Sequence, residues 1–254
     1  MTKFSANLGF LWTELALPDA IHAAHAAGFD AVECHFPYDV PAGDVVKALQ
    51  DTNMQMLGIN TRRGNPEAGD NGLCSIPDRV EEARAAIDEA LAYGAEISAL
   101  CVHVMAGTGY GEAAHATFVS NLRYACSKAG KLGLTILIEP LNTYDAPEYC
   151  LKGTDQARGI IEEVGADNLK LMFDCYHVQL LEGDISNKLE EFLPLIGHIQ
   201  FAAVPGRGAP DHGELNYAHV FKRIAELGYR QPLGAEYKPD SATSDGLAWM
   251  CDLR

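Results

Sequence analysis

Positive charge is scarce in this sequence, and the scarcity limits what the protein can bind. Among 254 residues there are 19 Lys and Arg against 35 Asp and Glu, so the formal net charge is −16. Nucleic-acid backbones and anionic membrane surfaces are bound mainly through Lys and Arg. We therefore expect no nucleic acid and no membrane as partners, and a small molecule instead.

Segments that direct a chain to a membrane are also missing. The apolar stretch 6–12 is short and is interrupted by Asn7, which does not fit a signal peptide. No run approaches about 18 apolar residues, the length that a membrane-spanning helix needs. The seven cysteines form no Cys-x-x-Cys pair, so we expect no disulfide framework and predict a cytoplasmic protein.

No Pro- or Ser-rich linker and no low-complexity tract divides the chain, so we predict a single domain over residues 1–254. Short apolar runs alternate with helical patterns, and eight strand–helix units in a chain of this length predict a (β/α)8 TIM barrel. A doubly wound open sheet is the alternative, because strand order cannot be read from the sequence. The predicted strands lie near 3–10, 30–36, 55–60, 98–104, 134–139, 169–174, 197–203 and 232–236. The predicted helices lie near 14–27, 43–53, 78–93, 112–130, 154–164, 186–193, 217–227 and 241–250.

Two irregular segments would lie at the mouth of such a barrel. Segment 61–77 is long, contains Gly and Pro and follows the third strand, so it is a candidate lid. The segment 107–111, Gly-Thr-Gly-Tyr-Gly, precedes a helix and suggests either a phosphate cradle or a flexible loop. It matches neither the dinucleotide fingerprint nor the P-loop, so we favour the flexible loop.

Polar side chains end four of the late strands, which is where the active sites of TIM barrels form. They are Glu139, Asp174, Gln200 and Glu236. Three carboxylates packed together repel one another unless a cation neutralises them. A donor set made only of oxygens favours Mg²⁺ or Mn²⁺ over zinc. The alternative is four separate polar residues that cap helices or face solvent.

The alternation of side chains along a strand lets these residues converge. Glu139 shares a strand face with Leu137, and Asp174 shares one with Met172. Gly234 leaves room inside the barrel at the eighth strand. Each candidate ligand can therefore point inward without breaking its strand.

Cysteine and histidine offer a rival metal site, because Cys lies beside or near His at 34–35, 101–103 and 175–177. However, Cys175 follows Asp174 directly and should face the opposite side of the strand, and Cys34 opposes Glu33 in the same way. We therefore favour buried, unreactive cysteines over a Cys/His zinc site or a Cys nucleophile paired with His.

Three further basic side chains lie near the same mouth. Arg207 stands in a Gly/Pro-rich loop just past Gln200, where its guanidinium could hold an anionic substrate. His177 lies three residues beyond Asp174, and Lys238 follows the last strand. Each of the three could instead be an ordinary structural or solvated residue.

Short motifs stand in order at the predicted strand ends. They are Asn-Leu at 7–8, Phe-Pro-Tyr at 36–38, His-Val-Met-Ala-Gly at 103–107, Ile-Glu-Pro-Leu-Asn at 138–142, Asp-Cys-Tyr-His at 174–177, His-Ile-Gln at 198–200, Gly-Glu-Leu-Asn-Tyr at 213–217 and Glu-Tyr-Lys-Pro at 236–239. Together they resemble the hydroxypyruvate isomerase family, one of the xylose isomerase-like TIM barrels. The resemblance covers nearly the whole chain.

This resemblance implies an intramolecular aldose–ketose isomerase of carbohydrate and glyoxylate metabolism, which converts hydroxypyruvate to tartronate semialdehyde through an enediolate. It implies a divalent metal, Mg²⁺ or alternatively Mn²⁺, held by the four strand-end residues. It also implies that Glu139 and Glu236 transfer the proton. The residues implied to bind substrate are His177, Arg207, His103 and Lys238.

Two departures from the family pattern lie near the mouth and leave the substrate open. Tyr144 stands where many members have Arg, and Ala209 stands where many have Glu. A ketose 3-epimerase and a 2-oxo-tetronate isomerase therefore remain alternatives, so the substrate is a sugar acid or a ketose. More distant alternatives are a DNA-cleaving enzyme resembling endonuclease IV, which the net charge disfavours, and a sugar-binding barrel without catalysis. The metal's identity and a homo-oligomeric state stay open at this stage.

Overall fold

Parallel strands form one sheet in the computed structural model, which describes residues 2–254. The strands are β1 (Phe4–Asn7), β2 (Ala31–Glu33), β3 (Gln55–Met56), β4 (Gly58–Asn60), β5 (Cys101–His103), β6 (Thr135–Ile138), β7 (Leu169–Asp174), β8 (Ile196–Phe201) and β9 (Leu233–Ala235). Their order in the sheet is β3-β2-β1-β9-β8-β7-β6-β5-β4, so it follows the chain around a ring. A doubly wound sheet would reverse its order at a switch point, and this one does not.

The ring closes because β3 and β4 are two halves of one barrel strand, interrupted at Leu57. Leu57 donates its backbone N–H to Val32 O at 2.7 Å, and Cys34 donates to Gly58 O at 3.1 Å. β3 pairs with β2, and β4 pairs with β5. Counting this interrupted strand once leaves eight strands, which confirms the predicted (β/α)8 barrel.

Helices cover the outside of the barrel. They are α1 (Leu17–Ala26), α2 (Ala42–Thr52), α3 (Val80–Glu96), α4 (Gly111–Ala129), α5 (Thr154–Val164), α6 (Cys175–Leu181), α7 (Ile185–Phe192), α8 (Tyr217–Glu226) and α9 (Trp249–Leu253). The prediction missed α6, which starts directly after β7 because the side chain of Asp174 accepts a hydrogen bond from Tyr176 N at 2.9 Å and so caps the helix. The helix predicted at 241–250 is wrong over most of its length. Short polar residues and Gly246 favour turns there, and the only regular structure before α9 is a short 3-10 turn.

A small apolar cluster fills the barrel beneath the strand ends. Cys101, Leu137 and Met172 pack together there, apart from the main core between sheet and helices. Two of these are the residues predicted to share a face with the candidate ligands. A Cβ on Gly234 would lie 2.5 Å from the Glu33 carboxylate, so this glycine does leave the room that the sequence indicated.

The segment after β4 is partly anchored. Ser75 N donates to Ala106 O at 2.7 Å, and Gly72 forms a bridge with Ala106, so residues 72–75 are held against the loop after β5. Residues 65–70 are largely exposed at the rim. Within residues 2–254, no helix has the length and apolar character needed to cross a membrane.

Candidate functional site

The carboxylates predicted to converge do so at the carboxyl end of the barrel. Glu139 directly follows β6, Asp174 ends β7 and Glu236 directly follows β9. One ligand atom from each of them and one from His177 all lie within 4.8 Å of one another, and the four side chains are buried. The carboxylates at three strand ends therefore form one site rather than three solvated ends.

Gln200 joins this cluster from β8, where it is paired in register with Asp174 on one side and Gly234 on the other. Its side-chain Nε2 donates to Glu33 Oε1 at 3.0 Å. Because the nitrogen faces Glu33, the amide oxygen is the atom left for a ligand. That oxygen is buried and has no hydrogen-bond partner.

Buried oxygens without partners mark this site as one that can hold a cation. Glu139 Oε1, Asp174 Oδ2 and Gln200 Oε1 all lack a hydrogen-bond partner. Leaving buried acceptors unsatisfied is unfavourable, and leaving buried charges unpaired is more so. Carboxylate and amide oxygens are the donors that hard divalent cations take. The buried cluster can therefore bind a metal ion, and its donor chemistry fits the predicted site.

Glu236 differs from the other carboxylates because both of its oxygens are already hydrogen-bonded. Oε1 accepts from Asn7 Nδ2 at 2.9 Å and lies 3.0 Å from His35 Nε2, while Oε2 pairs with the Arg207 guanidinium. A carboxylate has about four lone-pair directions, so these bonds leave room for a further ligand.

The three carboxylates have different proton affinities because their neighbouring charges and hydrogen-bond partners differ. Burial, followed by the charges of Glu236 and Asp174, raises the pKa of Glu139 well above its usual value. Burial also raises the pKa of Asp174 to about 7, although Arg207 acts in the opposite direction. Burial also disfavours the charged form of Glu236. The Arg207 guanidinium and the contact with His35 favour the charged form more strongly, so the pKa of Glu236 is lowered to about 2.

Arg207 is fixed in the loop after β8 rather than mobile in solvent. Its backbone φ is 55°, and its guanidinium lies 4.8 Å from the Phe10 ring and 4.9 Å from the Tyr176 ring. Besides Glu236, it lies 3.3 Å from Asp145 Oδ2 and 3.7 Å from Asp174 Oδ2. It therefore supplies positive charge to the cluster and is not a solvated loop residue, while its contact with a substrate stays a prediction.

His177 faces the cluster with its Nε2. Its Nδ1 accepts the backbone N–H of Asn142 at 3.0 Å, and a backbone N–H can only donate. A neutral imidazole that accepts at Nδ1 carries its proton on Nε2. Burial, with Arg207, lowers the pKa of His177 to about 3, so the ring is neutral. Nε2 lies 3.7 Å from Asp174 Oδ2 and 4.0 Å from Glu139 Oε1, so its N–H borders the cluster.

The other two residues implied to bind substrate lie at different depths. His103 is buried at the end of β5, with Nδ1 3.7 Å from Glu139 Oε2, and neither ring nitrogen has a hydrogen-bond partner. Burial lowers the pKa of His103 to about 3. Lys238 is exposed, and its backbone N–H donates to the carbonyl of Arg207 at 2.7 Å. The structure brings His103 to the cluster and leaves the side chain of Lys238 outside it.

The rival sites that the sequence left open are not formed. Cys34 and Cys175 lie in the main core, and no cysteine belongs to the metal-competent cluster found in residues 2–254. Burial raises the pKa of both thiols, which does not suit a nucleophile. In the glycine-rich loop, a Cβ on Gly107 or Gly109 would lie 2.2 Å from a backbone oxygen of segment 72–75. These glycines permit close packing of two loops.

Sequence reasoning missed a set of polar residues beneath the cluster. Glu33 accepts from Gln200 and from Asn7, and its other oxygen pairs with His198. His35 lies on the same side of the second barrel strand and contacts Glu236. The signal was available, because Glu33 and His35 both stand at a strand end two residues apart, but their partners lie far away in sequence.

Known proteins resemble this chain over its full length. The family model described as xylose isomerase-like TIM barrel matches residues 21–253. A 2-oxo-tetronate isomerase of Cupriavidus necator is 42% identical over 254 residues, which is 98% of each chain. The hydroxypyruvate isomerase of Escherichia coli is 38% identical and covers 100% of each chain. A crystal structure named AP endonuclease, family 2, from Brucella melitensis has a TM-score of 0.96 at 36% identity over 100% of each chain.

Proposed function

Because this chain belongs to the xylose isomerase-like TIM barrel family and is an isomerase, we propose that it moves the carbonyl group of a short sugar acid by proton transfer. The proposed reaction converts hydroxypyruvate to tartronate semialdehyde, and a 2-oxo-tetronate is the alternative substrate. The observation that carries the proposal is the buried cluster of Glu139, Asp174, Gln200 and Glu236, in which three oxygens lack partners.

The metal proposed for this cluster is Mg²⁺, with Mn²⁺ as the alternative, held by the four residues of the cluster. When bound, it would polarise the substrate carbonyl and make the neighbouring C–H more acidic. The all-oxygen donor set supports a hard cation.

The proton transfer is assigned to the two glutamates. One of them, in its ionised form, removes a proton from C3 of hydroxypyruvate, and the electrons of that C–H bond form the C2–C3 double bond of an enediolate. The other glutamate, in its protonated form, delivers a proton to C2 while the proton of the C3 hydroxyl passes to the oxygen on C2, which leaves an aldehyde at C3 and a hydroxyl at C2. Each carboxylate has two oxygens, so one can face the metal while the other handles the proton.

The neighbouring basic residues are assigned to the substrate's oxygens. His177 presents a protonated Nε2, and Arg207 presents a guanidinium held by Phe10 and Tyr176, so both can stabilise charge that develops on the reacting oxygens. His103 borders the same space as a neutral imidazole. Lys238 stands at the rim, where its charge would attract an anion.

A substrate panel in D2O tests the reaction. The Mg²⁺- or Mn²⁺-loaded protein is incubated with hydroxypyruvate, a 2-oxo-tetronate, dihydroxyacetone and a ketohexose, and products are followed by NMR. We expect a keto acid to give its aldehyde isomer with solvent deuterium at the new C–H carbon. A 3-epimer as product would identify an epimerase instead. No turnover of any compound would refute the proposal and favour a sugar-binding barrel without catalysis.

DNA cleavage is a second candidate function only because the similar structure from Brucella melitensis is named an AP endonuclease. The net charge of −16 opposes binding of a DNA backbone. We therefore expect no nicking of a duplex that contains one abasic site, under metal conditions that support isomerisation. Nicking that is lost in Asp174→Asn would reverse this assignment.

A further inference from the structure

A large open cavity lies beside the carboxylate cluster and is not used by the mechanism above. Its volume is about 620 Å³, and its wall includes Leu8, Phe36, Pro37 and Val40. His35 connects the two regions, because its ring lines the cavity while its Nε2 lies 3.0 Å from Glu236 Oε1. The cavity therefore adjoins the cluster, with the His35 ring at the boundary between them.

One arginine in the cavity wall has no hydrogen-bond partner. Arg63 is half-buried, and its Nε is buried without an acceptor. Every other arginine in the described part of the chain donates at least one side-chain hydrogen bond to the protein.

The position of Arg63 is set by its neighbours. Its carbonyl accepts the Gly72 N–H at 2.8 Å, and two residues earlier Thr61 N donates to His103 O at 2.9 Å. The guanidinium carbon lies 4.7 Å from the centre of the Phe36 ring. Stacking on an aromatic ring orients the guanidinium plane and leaves its N–H edge open to a planar anion.

The neighbouring arginines are already neutralised. Arg62 points to Glu89 and Asp39, with Nε 2.8 Å from Glu89 Oε2. Arg207 contacts Glu236 and two aspartates, so its charge serves the cluster itself. Arg63 is thus the cation in this region whose charge remains available to a ligand.

We infer that Arg63 binds the carboxylate of the substrate and so makes the enzyme selective for keto acids over neutral ketoses. The inference rests on the proposed function for the reacting end of the molecule. A half-buried guanidinium without partners is poorly solvated, and a bidentate carboxylate restores its hydrogen bonds. The apolar wall formed by Leu8, Pro37 and Val40 would contact the rest of a short carbon chain.

The first test measures binding without turnover. D-Glycerate has the carboxylate and hydroxyls of such a substrate but no carbonyl, so it cannot isomerise. Its dissociation constant for the Mg²⁺-loaded protein is measured by calorimetry for wild type, Arg63→Met, Arg63→Lys and the matched control Arg62→Met. We expect Arg63→Met to weaken binding about tenfold or more, Arg63→Lys to lie between, and Arg62→Met to change it less than about threefold.

The second test separates carboxylate recognition from catalysis. For a keto acid, Arg63→Met should raise KM about tenfold with little change in kcat, while KM for dihydroxyacetone should stay within about twofold. An equal rise in the KM for a keto acid in Arg62→Met and Arg63→Met would show that the effect comes from the lost charge alone and not from a specific contact, and it would overturn the inference. Unchanged glycerate binding in Arg63→Met would also overturn it. Preference of the wild type for glycerol 3-phosphate, lost in Arg63→Met, would make the ligand a phosphate and overturn the carboxylate assignment.

These outcomes also separate this inference from the proposed reaction. If no keto acid turns over but glycerate binding still depends on Arg63, the proposed function fails and the carboxylate site stands. If keto acids turn over and Arg63→Met behaves as wild type, only the carboxylate site fails. Thermal unfolding of each variant verifies folding, and Arg63→Lys, which keeps the charge, provides the comparison if Arg63→Met does not fold.

Discussion

At the scale of single residues, Glu139 and Glu236 show how surroundings give one side-chain type two behaviours. Both are buried at strand ends in the same cluster. Glu236 is paired with Arg207 and His35, which lower its pKa to about 2, whereas burial and neighbouring carboxylates raise the pKa of Glu139. A pair of titratable groups whose pKa values are pushed apart is the arrangement expected of an acid–base pair.

The variant Glu139→Gln tests this assignment. Its amide oxygen can still face a metal ion, but the amide can neither accept nor donate the transferred proton. We expect kcat to fall by about 10³-fold, within the range for loss of a general acid or base, while metal affinity changes much less. Steady-state kinetics and calorimetric metal titration measure the two effects separately.

Glu163→Gln is the matched control, because Glu163 is a half-exposed surface residue paired with His115. It should leave kcat and metal affinity as in wild type. Retained turnover in Glu139→Gln would remove Glu139 from the proton-transferring pair. A complete loss of metal binding would instead make its role that of a ligand.

At the scale of elements, the loops after β4 and β5 support each other over the mouth of the barrel. Gly107 has a φ of 89°, and a Cβ there would lie 2.2 Å from Gly72 O. Gly109 N donates to Ser75 Oγ at 3.0 Å, and Ala106 N donates to Tyr149 Oη at 2.8 Å. The glycine-rich segment is therefore a packed junction, and the first half of the preceding loop carries Arg63 at the cavity.

Gly107→Ala should destabilise the protein more than Gly111→Ala. Both glycines have positive φ, but nothing lies within 4 Å of a Cβ built on Gly111. We expect about 1 kcal/mol of lost unfolding free energy at Gly111 from backbone strain alone, and about 3 kcal/mol at Gly107, where the backbone must also move. Urea unfolding of the two variants measures the difference. Equal losses would mean that the close approach of the two loops contributes nothing.

At the scale of the whole molecule, the excess of acidic residues and the buried carboxylate cluster make metal binding depend on pH. The pKa of Asp174 is about 7 and that of Glu139 is raised, so the metal-free cluster holds protons at neutral and lower pH. These protons must leave before the carboxylates can bind a cation. Metal affinity should therefore fall as the pH falls below about 7.

Calorimetry in two buffers of different ionisation enthalpy measures this proton release. We expect protons to be released on binding of Mg²⁺ or Mn²⁺ at pH 6.5, and fewer at pH 8.5. Asp174→Asn should remove part of the release and weaken binding. No release at either pH would show that the cluster is already ionised without metal.

Metal binding should also stabilise the fold as a whole. A ligand present at about 100 times its dissociation constant adds roughly 2.7 kcal/mol to unfolding free energy, which corresponds to several degrees in Tm for a chain of this size. We expect Mg²⁺ or Mn²⁺ to raise Tm in wild type and a chelator to reverse the shift. An equal shift in Asp174→Asn would place the metal elsewhere.

Much of the fold and part of the site follow from the sequence because their signals are local. Each barrel strand is an apolar run, and strands such as Leu169–Asp174 and helices such as Thr154–Val164 have the predicted bounds. The end of the chain was predicted less well, because turn-forming residues around Gly246 compete with a helical pattern. The prediction missed α6 because this helix starts where the side chain of Asp174 caps it, and Asp174 had been interpreted only as a metal ligand.

The sequence by itself determined the alternating strands and helices and the carboxylates that end the strands, since strand periodicity decides which residues share a face. Only the tertiary structure decided that the strands follow one another around a closed ring, and how those carboxylates are held. Asn7 meets Glu236, and His198 meets Glu33, across 229 and 165 residues of chain. Such pairs form because strand tilt and register bring distant residues to one layer of the barrel, and no local pattern records that choice. The same reason explains why Arg63, one of two adjacent arginines in the sequence, is the one left without a partner.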